Sequence, residues 1–396
     1  MFILFLLILL IFVMGFLENY FHRKRIENIP IRIQVNGTRG KSTTVRLIAS
    51  ILREAGYRVL AKTTGTAPRI ILENGEEEII KRRGSTNIIE QKHFIKKAAQ
   101  RECNAIVVEC MAVHPETQWV SEHRLIHSTI GVITNVREDH QDVYGPELED
   151  AANFLKLTIP RNGFLVTAEQ NFFPLFQKQA EKLNSKCIPV DLNKITLPSQ
   201  KKESENILFK DNVAIALEVG RLLNITEKIC WQGILKAKPD PGALTIYKLK
   251  VRDRVLWFIN AFAANDRESI ILIRDKVNRL LPAAVLNSAK IVLLNNRDDR
   301  VTRTIQFVEI LTKDFKVDHI FLAGQNSRLS YNQLKKYGYS SDSKHLSIIQ
   351  NETNIESVLE QIVELNKEAG IVYGLGNTRG FGLQLMDYLK EKGEKL

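Results

Sequence analysis

Apolar positions along this chain fall into three regimes. Residues 1–17 are an uncharged apolar run broken only by Gly15. As a helix rising about 1.5 Å per residue the run measures about 26 Å, close to the hydrocarbon thickness of a bilayer. The second regime consists of short apolar blocks of the kind that form buried parallel strands, at 31–35, 57–61, 105–109, 130–134, 162–168 and 186–190. Helical patterns are expected from the glycine loop after the first block to about Ala55, where Gly56 closes it, and over 91–101 and 212–223. Residues 73–91 read as an exposed loop or hairpin, and 191–206 as a polar surface excursion. The turn-rich Lys238-Pro-Asp-Pro-Gly242 marks a boundary. Beyond it, strands at 255–260, 290–295, 319–323, 345–349 and 371–373 alternate with helices at 268–281, 302–315, 328–337 and 355–369. That alternation implies right-handed crossovers and a mostly parallel sheet. No internal repeat is evident. The expectation is an α/β chain in three parts. A transmembrane helix and basic juxtamembrane segment occupy 1–28, a nucleotide-binding domain with a parallel sheet 29–240, and a Rossmann-like, doubly wound domain 241–396.

Charge sharpens the first part. No Lys or Arg precedes the apolar run and no small-x-small cleavage site follows it, which counts against a cleaved signal peptide. His22-Arg23-Lys24-Arg25 follows directly, so the positive-inside rule puts the N-terminus outside and the remaining chain in the cytoplasm of a bacterial cell. The formal net charge of +11 (56 basic against 45 acidic residues) favours an anionic partner: nucleic acid, lipid, or a polyanionic substrate or product. No basic patch interleaved with aromatics marks a single-strand nucleic-acid binder. Cys103, Cys110, Cys187 and Cys230 have neither zinc-site nor disulfide-framework spacing, as suits a reducing compartment.

The chemistry concentrates where the second regime begins. Strand 31–35 runs into Gly37-Thr38-Arg39-Gly40-Lys41-Ser42-Thr43, and a helix follows. Strand, glycine loop and helix together point to a nucleoside triphosphate, and ATP is the one expected. The glycines let backbone N–H groups wrap phosphate oxygens, and the helix N-terminus adds a positive dipole end. Lys41 is placed to hold the β- and γ-phosphates, and Ser42 or Thr43 to ligate Mg²⁺, with Mn²⁺ an alternative. Val35 stands where the commoner GxxxxGK[ST] pattern has its first glycine, so the loop is a short form. Glu109 ends an apolar strand at the edge where open α/β sheets bind ligands, which suits a metal-bound carboxylate. The next strand runs into Thr134-Asn135-Val136-Arg137-Glu138-Asp139-His140, where His140 beside Asp139 suits Mg²⁺ chemistry or nucleotide positioning. Arg297, Arg300 and Arg303 open a helix after a strand, either as a solvated face or as contacts for ATP phosphates or an anionic chain.

A short GTxGK[ST] loop, a strand-terminal Glu and TNV-x-x-DH-x-D together resemble the Mur ligase superfamily, which includes folylpolyglutamate synthetases. The segments NGTRGKST, KTTGT, VVECMAVHP, TNVREDHQDVYGP, DPGA, NAFAAND (260–266), NNRDDRVTRTIQF (295–307) and GLGNTRG (374–380) are similar to the ligase-subunit family of poly-γ-glutamate synthases. The resemblance covers nearly the whole chain. It implies a Mur-ligase-like central domain, a C-terminal ligase domain and an ATP-dependent, ADP-forming amide ligase that activates a carboxylate as an acyl phosphate. It further implies that residues 37–43 bind ATP and that Ser42, Glu109 and His140 hold the metal. Lys41, Glu109 and His140 would be catalytic. Asn212 would approach the adenine or ribose, and Asn265, Arg297 and Arg300 the nucleotide. Lys156 stands one residue beyond the spacing of a lysine that related ligases carbamylate. Two departures are that Asn260 replaces an Asp of the family and that Ala243 stands where it has an Arg. Cell-wall relatives have a further N-terminal domain for a UDP-linked substrate, so a UDP-muramyl substrate is not expected here. The implied partners are glutamate and the growing poly-γ-glutamate chain, the membrane, and small membrane subunits of a synthase complex; nucleic acid is not expected. The rivals are a ligase for another amino acid and an ATP-driven motor or regulatory subunit gating export of the polymer.

Overall fold

The computed structural model describes the 396-residue chain apart from 66–67, 83–86, 139–140, 146, 198–206, 265, 299–300, 340–345, 350–353 and 365–369, and apart from the side chains of Gln141, Asp142 and Thr302. It divides into two compact units, Met1–Asp240 and Pro241–Leu396.

The first unit opens with one helix, Phe2–Glu27, whose apolar side chains are exposed through Phe21. Only its last turns are packed. His22 and Ile26 are buried, His22 Nε2 donates to the Leu125 carbonyl at 2.9 Å, and Glu18 pairs with Lys92 at 2.6 Å. An eight-stranded sheet follows. Its strands are β1 (Ile31–Asn36), β2 (Val59–Thr63), β3 (Arg69–Ile71), β4 (Glu77–Ile79), β5 (Ala105–Glu109), β6 (Ile130–Ile133), β7 (Phe164–Thr167) and β8 (Lys186–Pro189), in the order β4-β3-β2-β5-β1-β6-β7-β8. The run from β2 to β8 is parallel, as the doubly buried apolar blocks require. β3 and β4 add an antiparallel hairpin at one edge; β4 falls within the stretch expected to be loop or hairpin, while β3 precedes it and was not expected. The helix Lys41–Glu54 packs on the sheet beneath Lys210–Leu222 and Glu227–Lys236. The last of these was not expected, because Gly233 weakens its helical pattern. A Cβ at Gly233 would lie 2.5 Å from Ile51 Cα, so the glycine lets two helices approach closely. The helices Pro115–Val120, continued by a π-turn over Ser121–Ile126, and Phe173–Lys182 were also not expected.

The second unit is a seven-stranded sheet of β9 (Thr245–Val251), β10 (Arg254–Asn260), β11 (Ala289–Asn296), β12 (His319–Gly324), β13 (Leu346–Ile348), β14 (Gly370–Gly376) and β15 (Glu394–Lys395), ordered β13-β12-β11-β14-β10-β9-β15. The five strands from β13 to β10 are parallel, and β9 and β15 are antiparallel additions. The helices Arg267–Leu280, Val301–Lys313, Ser327–Lys336, Ile355–Glu364 and Phe381–Lys392 flank the sheet. The doubly wound expectation therefore holds for the parallel part, while β9 turns the sheet into a mixed one.

Candidate active site at the phosphate loop

The strand register places the chemistry. In the parallel ladder Val35 faces Glu109 and Asn36 faces Ile133, so β1, β5 and β6 end side by side at the C-terminal edge. Residues 37–40 leave β1 as a tight loop with Gly37 at φ +117° and Gly40 at φ +82°, in the region that favours glycine. Neither has room for a side chain. A Cβ at Gly37 would lie 2.2 Å from Thr134 Oγ1, and one at Gly40 would lie 2.4 Å from Asn212 Oδ1.

The loop is fastened to the segment after β6. Thr38 N donates to the Asn135 carbonyl and Arg39 N to Asn135 Oδ1, both at 3.0 Å. Thr134 Oγ1 donates to the Arg39 carbonyl at 2.7 Å, and Arg137 N donates to Thr38 Oγ1 at 3.0 Å. Lys41 folds back over the loop, its Nζ donating to the carbonyls of Gly37 at 2.6 Å and Thr38 at 3.1 Å. Ser42 Oγ donates to Glu109 Oε2 at 2.8 Å, and the same oxygen accepts Thr64 N at 2.7 Å. A cavity of about 140 Å³ opens here, with Gly37, Lys41, Thr64, Cys110 and Tyr144 among its walls. Burial pushes the Cys110 thiol up to about 11, so it is a protonated wall at neutral pH and no nucleophile.

The structure thus brings residues 37–42 and Glu109 together. Thr43 is the third residue of the helix Lys41–Glu54. Asn212 also lies at the loop, but beneath it: its buried Oδ1 accepts Thr44 Oγ1 at 3.3 Å and sits against Gly40. Lys156 follows the helix Leu148–Leu155, and its Nζ donates to Asn153 Oδ1 at 2.5 Å. Arg297 follows β11 in the second unit, where its carbonyl accepts Asn326 Nδ2 at 2.7 Å. Asn260 ends β10 and donates to Ala243 O at 3.3 Å. His140, Asn265 and Arg300 lie outside the described residues.

Sequence reasoning missed a support behind Glu109. Lys62 is almost fully buried, with Nζ 3.1 Å from Gln91 Oε1 and 3.2 Å from Glu90; Gln91 Nε2 in turn donates to the Glu109 carbonyl at 3.3 Å. Burial pulls the Lys62 pKa down, and Glu90 opposes the shift. Chemically, the edge offers backbone N–H groups and a lysine for phosphate oxygens, and a hydroxyl and a carboxylate 2.8 Å apart for a hard cation. Two oxygen donors fit a cation that completes its shell with water and phosphate. No group of three or more His, Cys, Asp or Glu able to hold a metal occurs among the described residues.

Known proteins match this arrangement. The Mur ligase middle domain model matches residues 35–220, and the model of the poly-gamma-glutamate synthase CapB C-terminal domain matches 246–392. A PGA synthase CapB of Bacillus subtilis (strain 168) is 37% identical over 386 residues, covering 96% of this chain and 95% of that protein. The chain belongs to the CapB family of poly-γ-glutamate synthases. A second CapB-family relative, the capsule biosynthesis protein CapB of Bacillus anthracis, is 36% identical over 96% of this chain and 80% of its own length. Membership in this family makes the chain an ATP-dependent amide ligase. The CapB-family fold is shared with a bifunctional folylpolyglutamate synthase/dihydrofolate synthase from Yersinia pestis CO92 (TM-score 0.65, 16% identity, 94% of this chain and 92% of that one). MurF from Acinetobacter baumannii also shares it (TM-score 0.64, 13% identity, 92% and 79% covered). A structure of the Yersinia enzyme with AMPPNP and a Mn ion has a TM-score of 0.64 at 16% identity, over 94% of this chain and 92% of that one.

Proposed function

We propose that this chain elongates poly-γ-glutamate at the inner face of the membrane, drawing on ATP to activate the end of the growing chain. The observation that carries the reading is the short phosphate loop facing Glu109 within a chain that matches CapB proteins along 96% of its length. The loop N–H groups and Lys41 would hold the ATP phosphates, while Ser42 and Glu109, with His140, would hold Mg²⁺ or Mn²⁺. Such a cation, when bound, neutralises charge on the phosphoryl oxygens. Lys41, drawn back onto two loop carbonyls, can exchange them for phosphate oxygens without moving the backbone. A terminal γ-carboxylate oxygen attacks the γ-phosphorus as the bond to ADP breaks, giving an acyl phosphate. The amine of an incoming glutamate then attacks the acyl carbon. The amide forms, phosphate leaves and the ammonium proton is released. Lys156 would serve in this reading as the carbamylated lysine.

The test is product analysis: glutamate-dependent ADP and phosphate, with a hydroxamate formed when hydroxylamine is present. AMP and pyrophosphate as products would overturn the mechanism. ATP hydrolysis indifferent to glutamate and to polymer would favour a motor that gates export.

The helix Phe2–Glu27 is the one described helix long and apolar enough to cross a membrane. In the same reading it anchors the chain with Arg23, Lys24 and Arg25 inside, beside other membrane subunits that export the product. Removing residues 1–20 should free a folded chain from the membrane fraction, since the packed His22 and Ile26 remain. Cleavage of residues 29–396 by protease added outside intact cells would reverse the orientation.

A further inference from the structure

A second cavity, of about 220 Å³, lies at the far end of the phosphate-loop helix, walled by the first unit alone. Two arginines of that helix reach it. Arg46 is satisfied: it grips Glu77 with Nη1 at 2.6 Å and Nη2 at 3.2 Å, and Asp240 with Nε at 3.3 Å. Arg53 is not. Its Nε and Nη2 are both buried, and neither has a hydrogen-bond partner among the described residues. Burial lowers the pKa of this guanidinium and no carboxylate raises it. Holding a buried charge without a partner is unfavourable, so a ligand is what such a group lacks.

The orphan atoms specify the ligand. Nε and Nη2 form one edge of the guanidinium, the edge that takes both oxygens of a carboxylate through parallel hydrogen bonds. The carboxylates already in the cavity wall are engaged, Glu54 with Lys236 at 2.8 Å and Glu77 with Arg46 and Arg69. Four cations (Arg46, Arg53, Lys236, Lys238) against two carboxylates (Glu54, Glu77) leave the lining positive. Lys236 and Lys238 are exposed, so the positive surface continues from the cavity wall to solvent. At about 30 Å³ per water the space holds about seven waters, or one glutamyl side chain with a few.

We propose that this cavity is a carboxylate-binding subsite that holds a segment of an anionic γ-glutamyl chain away from the phosphate loop, with the Arg53 fork, now shielded from water in the cavity wall, turning into the cavity to take the carboxylate. The helix between the two sites has 14 residues and spans about 20 Å, so a carboxylate on Arg53 is not the one being phosphorylated. The choice of polymer rests on the function proposed above.

The test uses the full-length chain in detergent and a fluorescent γ-linked glutamate decamer, read by anisotropy without ATP. Arg53→Gln should weaken binding at least tenfold, and Arg53→Lys, which keeps the charge and loses the fork, should also weaken it. The decamer should raise the melting temperature of the parent and not that of Arg53→Gln. Undiminished binding by Arg53→Gln overturns the proposal. Displacement of the decamer by inorganic phosphate as effective as by acetate, at equal ionic strength, overturns the carboxylate assignment. Arg53→Gln should melt at or above the parent temperature because it removes an unpaired buried charge. A clear fall in melting temperature would make Arg53 structural and also overturn the proposal. No turnover is involved, so a missing glutamate-dependent ADP release would defeat the ligase mechanism and leave this result standing.

Discussion

Replacing Gly37 with alanine is the most exacting test of the loop. At φ +117° an alanine carries backbone strain of about 1–3 kcal/mol. Its Cβ would stand 2.2 Å from Thr134 Oγ1 and 2.7 Å from Thr134 N, and displacing packed neighbours costs about 1–3 kcal/mol. Moving Thr134 also breaks its 2.7 Å hydrogen bond to the Arg39 carbonyl, worth about 1 kcal/mol. The sum is at least about 3 kcal/mol. For a domain of this size each kcal/mol shifts melting by about 2–4 °C, so the first unfolding transition should fall by about 6 °C or more. Calorimetry of the full chain in detergent measures the fall, and titration with a fluorescent ATP analogue should show lost affinity. A second variant locates the clash. Thr134→Ala added to Gly37→Ala should recover little, because the backbone nitrogen remains 2.7 Å from the new Cβ. A transition within about 2 °C of the parent, with unchanged affinity, would refute the reasoning: the loop would then tolerate a conformation that the contacts with Thr134 forbid.

Three further outcomes follow from the geometry. Glu109→Gln removes the charge that receives Ser42 and Thr64 N, and should lower glutamate-dependent ADP release by roughly a hundredfold while ATP still binds; near-parent rates would remove Glu109 from the chemistry. Burial pushes the Glu122 carboxyl up to about 7, partly countered by hydrogen bonds from Ser128, against an ordinary value of 4.5. Its folded pKa lies above the unfolded one, so its cost is absent below about pH 4.5, grows as pH rises to about 7 and is then constant at about 3 kcal/mol. Glu122→Gln should therefore gain melting temperature over the parent at pH 8 and little at pH 5, and a difference independent of pH would contradict this. Arg46→Met removes the buried cation shared by Glu77, which keeps only Arg69, and Asp240, and should cost about 3 kcal/mol in denaturant titration, whereas a neutral result would mean water reaches the buried pairs.

What could be read from the residues alone follows a physical rule. Parallel strands buried on both faces must be unbroken apolar runs, and β1, β5 and β6 stood out for that reason. β9 lies next to the edge, covered on its outer side only by the two-residue β15, and its alternating YKLKV reads as polar connection beside the Pro-rich boundary. Lys41, Ser42 and Glu109 were legible because a local motif or a strand end fixes each. Lys62 and Gln91 were not, because only pairing between strands, Lys62 beside Val108, brings them behind Glu109. Asn212 shows a different limit: resemblance implies a nucleotide contact, and the structure adds a packing role, its Oδ1 accepting Thr44 Oγ1 and lying against Gly40. No local pattern distinguishes those two uses of an asparagine.

The N-terminal helix enters the body without a hinge. It remains one continuous helix to Glu27, and its last turns are locked by the buried His22 and Ile26. If the apolar half is the membrane anchor proposed above, this joint makes it a lever and not a leash: whatever sets the tilt of that half sets the tilt of the phosphate-loop edge with it, and a neighbour that rotated the helix would reorient the site without touching it.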